Sequence, residues 1–241
     1  MSLAGQPQSF IASRFVGDAE FFDDFFEGGN GSGGGKFELT ANEGAWLLSG
    51  NTPTAIVMDD APNGVVRLSM ASSDNDRVSA QLNGEAFKPA AARQIYLEFR
   101  IRLRSDTAAD TLVQTDFFVG LASTDTDILT GVTNSIGFRS SGTNGEGGGN
   151  ANINCVVEDN STETTADSGV DFANDTFVNL GVLINGVDEV MFYINGQFKK
   201  RITTNIPGGD PLTLSMEVRR SGAGAANLAI ELDYIYARQT R

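Results

Sequence analysis

The stretch QIYLEFRIRL, residues 94–103, alternates with a period of two. Ile95, Leu97, Phe99, Ile101 and Leu103 fall on one face; Tyr96, Glu98, Arg100 and Arg102 fall on the other. An extended strand in a sheet with one buried and one wet face sorts residues this way. The pattern recurs. LTLSMEV places Leu212, Leu214, Met216 and Val218 inside, and LAIELDYIY places Leu228, Ile230, Leu232, Tyr234 and Tyr236 inside. AWLLS, TAIVM, GVVRLSM, RVSAQLN, TDFFVGL, SIGFR and NINCVV are further strand candidates. No segment longer than about ten residues holds a 3.6 period, so helix is expected to be scarce.

The turns agree with this. The chain has 28 glycines and only 6 prolines, and the glycines lie mostly between apolar runs. Asn195 and Gly196 join EVMFYI directly to QFKKRI, and Asn-Gly supports the positive φ angles of a type I′ hairpin turn. Asn185-Gly186 sits in a longer connection through Val187 and Asp188. Turn signals about every 8–12 residues point to an antiparallel β-sandwich. Residues 140–150 and 158–168 read as long polar surface loops flanked by strands of the same kind. Residues 1–18 show no period. The expected organisation is an irregular N-terminal arm, 1–18, and one all-β domain, 19–241.

Composition excludes several functions. A formal charge of −14 leaves no basic footprint for nucleic acid and disfavours an anionic membrane surface. No histidine is present, which removes Ser-His-Asp and Cys-His machinery and the usual zinc sites. Cys155 is the single cysteine, so no internal disulfide forms. The first residues hold no apolar run of signal-peptide length, and no run approaches the roughly 20 residues of a membrane helix. A soluble chain without a classical export signal is expected.

The order VNLGVLINGVDEVMFYINGQ, then a Pro-Gly turn, then LTLSMEVRR and a closing IELDYIYARQ resembles the C-terminal half of concanavalin A-like lectin/glucanase jelly rolls. IYLEFRIRL resembles that superfamily's central strand and FFDDFFEGG its opening strand, the likeness covering roughly residues 19–238. It implies a jelly roll in which the last strand lies beside the first. The opening strand, the acidic histidine-free body and the short arm also resemble jelly-roll proteins of tailed-bacteriophage virions. That resemblance implies a non-enzymatic capsid decoration or cement protein located in the virion. Its partner would be the major capsid protein or another virion protein, reached through Phe10, Ile11, Arg14 and Phe15 of the arm, and it would be a homo-oligomer, with a trimer suiting a capsid three-fold. The alternative is a lectin-like module that binds a glycan.

No catalytic residue, metal site or cofactor is expected. The superfamily's β-glucan hydrolases carry a Glu-x-Asp-x-Glu motif on one strand; the nearest match here, Glu231-Leu-Asp233-Tyr-Ile235, lacks the third acid and reads as polar residues on an outer face. Asp23 and Asp24 are adjacent, so a regular strand sends them to opposite faces. Asp125 with Asp127, Asp74 with Asp76, and Glu158, Asp159 and Glu163 offer oxygen ligands, but Asp and Asn also favour turns through local hydrogen bonds. The glycine-rich GGNGSGGG and GEGGGN lack the helix a phosphate cradle needs. Lys199, Lys200 and Arg201, and Arg219 with Arg220, read as exposed strand faces or edges. Trp46, among apolar neighbours, reads as a core residue with a bonded indole N–H rather than a sugar platform.

Overall fold

Alternating side chains dictate sheets that must cover one face each, and the chain answers with two sheets packed face to face. The computed structural model describes residues 18–24, 46–51, 55–57, 64–70, 73–105, 112, 115–140, 152–221 and 228–240. Residues 10, 11, 14 and 15 of the expected partner-binding arm lie outside the described residues. The first sheet runs β13 (Gln197–Ile202), β12 (Glu189–Ile194), β11 (Val178–Asn185), β6 (Gln94–Ser105), β15 (Leu228–Gln239), β4 (Val66–Ser69) and β3 (Ala55–Val57), with β1 (Ala19–Asp23) also paired to β15. The second runs β10 (Thr162–Asp171), β9 (Asn152–Asp159), β8 (Ser135–Arg139), β7 (Thr115–Ala122), β14 (Thr213–Arg220), β5 (Arg77–Leu82) and β2 (Trp46–Gly50). Every described pairing is antiparallel. The first and last strands lie side by side, as a jelly roll of this type requires.

The core sits between the sheets. All five apolar residues of β6 are fully buried. Phe138 of β8 meets Phe192 of β12 edge-to-face, with ring centroids 5.3 Å apart, so one aromatic pair bridges the two layers. The β12–β13 hairpin turns at Asn195 and Gly196, whose φ angles of 51° and 73° are the positive pair a type I′ turn uses.

The opening FFDD resolves into a strand end. Phe21 turns inward and packs edge-on against Trp46, at 6.0 Å. Asp23, on the same side, accepts the Trp46 indole N–H at 3.0 Å, so the carboxylate and the indole satisfy each other. Phe22 points outward. Asp24 follows the strand, and residues 25–45 lie outside the described residues.

Three expectations are corrected. Residues 158–168 are not a surface loop: β9 and β10 form a hairpin around Asn160 and Ser161. β10 is an edge strand whose inward side mixes Ala166 and Val170, packed on the core, with Thr164 and Ser168, so no hydrophobic alternation announces it. Arg219 and Arg220 are not on an exposed face either; both are buried in β14, which is interior to its sheet. Finally, β15 carries a bulge between Leu232 and Tyr234. The extra residue reverses the alternation. Ile235 and Ala237 take the inward positions, and Tyr234 and Tyr236 turn to the outer face. The bulge falls where β15 changes neighbour, from β4 at residues 229–232 to β1 at residues 235–239.

Close strand approach explains one glycine pair. Gly120 of β7 and Gly137 of β8 are register partners. A Cβ on Gly137 would lie 2.3 Å from the Val119 carbonyl oxygen, and one on Gly120 would lie 2.2 Å from that of Ile136. Backbone must shift to admit either. Gly137→Ala is therefore expected to destabilise the chain by about 1–3 kcal/mol, read from a chemical-denaturation midpoint.

Candidate functional site

β7 and β14 are buried on both faces, which a simple two-layer sandwich does not explain. The cause is the β7–β8 connection, residues 123–134, which lies across the outer face of the second sheet. Ile128 and Leu129 from this connection pack on Phe118, Ala122 and Val156, forming a small apolar cluster separate from the main core.

Polar contacts fasten the connection down. Glu217 of β14, fully buried, accepts the Ile128 N–H at 2.6 Å and an Arg219 N–H at 2.8 Å. Arg219 also pairs with Asp127, and Arg77 reaches the same carboxylate at 3.7 Å. Gln81 donates to the Ser123 carbonyl at 3.1 Å and accepts the Asp125 N–H at 3.0 Å. Asp125 accepts the Asp127 N–H at 2.9 Å, and Asp127 the Thr130 N–H at 3.1 Å. Burial works against ionising Asp127, but the Thr130 hydrogen bond and the charges of Arg219 and Arg77 prevail and lower its pKa. These two aspartates thus hold the turn. Among the described residues no group of three or more acids, cysteines or histidines is placed to hold a metal.

Beside this connection the same face opens a pocket of about 200 Å³. Leu129, Thr130 and Val132 form one wall; Arg139, Glu158, Ser161 and Glu163 form the rest. Strand geometry assembles the polar half. Ser135, Glu158 and Glu163 are register partners across β8, β9 and β10, so their side chains share one row. Like charges directly opposite each other repel. Arg139, two rows along, reaches diagonally to pair with Glu163, and the Ser135 hydroxyl donates to Glu158 at 3.2 Å. Burial, reinforced by the Glu163 charge, nevertheless raises the Glu158 pKa.

That shift has a sign. A carboxyl whose folded pKa lies above its unfolded value, about 4.3, contributes stability that is fully present below that value and is lost as pH rises through the folded pKa. Glu158→Gln is therefore expected to equal or exceed the parent chain in stability at pH 7, with that advantage disappearing as pH falls toward 4. Paired denaturation curves at the two pH values check this.

Glu231 and Asp233, the nearest match to the hydrolase motif, fall elsewhere. Glu231 lies on the outer face of the other sheet, wholly buried beneath arginines. Arg67 and Arg102 each bind it through two nitrogens at 2.5–2.6 Å, and Arg104 stands at 3.5 Å. Burial alone would raise its pKa; the hydrogen bonds from Arg67 and Arg102 overrule this and lower it. Asp233, in the bulge, pairs with Arg100. Neither is a proton donor facing a cleft. The outward positions of β8, in the interior of the chain, are Ser135, Gly137 and Arg139, and no described strand carries alternating Glu-x-Asp-x-Glu.

The similar solved structures decide the fold. An endo-1,3-β-glucanase from Streptomyces sioyaensis superposes with a TM-score of 0.61 at 12% identity, covering 95% of this chain and 99% of its own. The carbohydrate recognition domain of Emp46p in its potassium-bound form gives 0.54 at 12% identity, covering 80% and 88%. The fold is the lectin and glucanase jelly roll. A protein of unknown function from Shewanella oneidensis MR-1 shares it as well, with a TM-score of 0.61 at 13% identity over 96% of this chain and 90% of that one. No protein-family model matches the sequence, and no curated protein does. At these identities the likeness concerns architecture, and function must be argued from the site.

Proposed function

We propose that this chain is a lectin-like carbohydrate-binding module whose ligand enters the pocket formed by the 123–134 connection and strands β8–β10. The observation that carries this reading is the composition of that pocket. One wall is apolar, from Leu129 and Val132, and the other presents a guanidinium, two carboxyl groups and a hydroxyl. A sugar ring needs this combination, because it offers an apolar C–H face together with hydroxyls that both donate and accept. The lectin and glucanase neighbours favour this role over the virion role expected from the sequence.

Hydrolysis is the second reading. Glu158 and Glu163 are opposed acids, one with a raised pKa and the other ion-paired, and environments that separate two carboxyls are what glycoside hydrolysis uses. The binding reading is preferred because Arg139 and Thr165 already engage the Glu163 carboxylate. A glycan array probed with the full chain, followed by a reducing-end assay on each hit, separates the two. Retention of intact glycan supports binding without turnover. Turnover lost on Glu158→Gln supports hydrolysis, and an array with no hits overturns both.

A further inference from the structure

The chain has four tyrosines, and all four lie on the outer face of the first sheet: Tyr96, Tyr193, Tyr234 and Tyr236. Phe22 and Phe198 join them there. They are 37% and 55% exposed, two of the three exposed large apolar side chains among the described residues. Pairing registers place these groups in order. One row crosses six strands as Phe22, Tyr236, Glu98, Gly181, Tyr193 and Phe198. The next row, two residues along each strand but three along β13, where the register shifts, reads Glu20, Arg238, Tyr96, Leu183, Met191 and Arg201.

Both rows are complementary to their own reversal. Turning a second copy about an axis parallel to the strands, midway between β6 and β11, sets Phe22 against Phe198, Tyr236 against Tyr193, and Glu98 against the side-chain gap at Gly181. In the neighbouring row it sets Glu20 against Arg201, Arg238 against Met191, and Tyr96 against Leu183. Aromatic meets aromatic, acid meets base, and no like charges are opposed in these two rows. An isologous two-fold contact requires this self-complementarity. Three ion pairs form within one copy at this face, Arg238 with Asp18, Arg100 with Asp233 and Arg201 with Glu189, and the Glu98 carboxylate accepts hydrogen bonds from Tyr96 and Tyr234. A chain of charge −14 thus presents here a face whose arginines are ion-paired and whose Glu98, the acid nearest the two-fold axis, is hydrogen-bonded by two tyrosines. Tyrosine, phenylalanine, methionine and arginine are also the residues enriched where proteins associate.

We infer that the outer face of the β13–β12–β11–β6–β15–β1 sheet is a homodimer interface, sheet face against sheet face, with Phe22 of one copy seated on Phe198 of the other. The arrangement is two-fold, unlike the trimer expected from the sequence, and it does not depend on the sugar-binding reading.

Sedimentation equilibrium of the full chain tests it. A reversible dimer is expected, with Phe198→Asp raising the dissociation constant at least tenfold while circular dichroism stays unchanged. Glu20→Arg alone should weaken the dimer, and adding Arg201→Glu should restore it. A chain carrying Phe22→Cys mixed under mild oxidation with one carrying Phe198→Cys should form a mixed disulfide dimer far faster than either forms a dimer with itself; Cys155 is buried and needs no replacement. A monomer persisting at about 1 mM, a dimer indifferent to Phe198→Asp, or cross-linking without preference for the mixed pair would overturn the inference.

Discussion

Glu231→Gln is expected to cost about 3 kcal/mol of folding stability, the lower end of what breaking a buried ion pair costs. Glutamine keeps the shape of the side chain but leaves Arg67, Arg102 and Arg104 gathered around a neutral group. The lower end applies because those guanidinium side chains remain between 21% and 38% exposed, so solvent screens part of their repulsion. The effect has a pH signature. The folded pKa of Glu231 is depressed, so its contribution is present above the unfolded value, about 4.3, and is lost as pH falls through the folded value. The gap between parent and variant in urea should therefore be widest near neutrality and close on acidification. A gap independent of pH would mean that packing, not charge, keeps Glu231 in place.

Phe138→Ala is expected to cost about 4 kcal/mol, because it removes a fully buried ring from the contact that joins the two sheets. Phe192 stands on the other sheet, so the two rings couple the layers directly. A double-mutant cycle with Phe192→Ala should return a coupling of about 0.5–1.5 kcal/mol beyond the separate losses of buried area. Strict additivity would show that each ring packs against its own surroundings alone.

The sandwich was legible wherever a strand has one wet face. QIYLEFRIRL announced β6, and Asn195-Gly196 marked the β12–β13 turn, because alternation and turn chemistry are local properties. Three features were not local. β10 lies at an edge and puts only Ala166 and Val170 on the core, between polar residues, so its pattern matches that of a loop. The alternation in β15 was read straight through Asp233, and the bulge there depends on the change of neighbour from β4 to β1. The tyrosine face follows from that bulge, since Tyr234 and Tyr236 were expected inside. Arg219 and Glu217 are buried because residues 123–134 cross over them, a tertiary contact that no period in β14 records. The pocket was hidden for the same reason. Glu158 and Glu163 were noted as acids in a turn, but Arg139 comes from SIGFR, which was marked only as a strand candidate.

The sugar-binding reading stands or falls on where a glycan binds. Thr130→Trp places a large ring on the pocket wall, at an exposed position whose backbone N–H bond to Asp127 the substitution keeps. Calorimetric titration of the strongest array ligand into the parent chain and into Thr130→Trp measures the difference directly. Loss of affinity by tenfold or more, about 1.4 kcal/mol, with an unchanged circular dichroism spectrum, is the predicted result. Equal affinity in the two proteins would contradict it and place the ligand elsewhere on the chain.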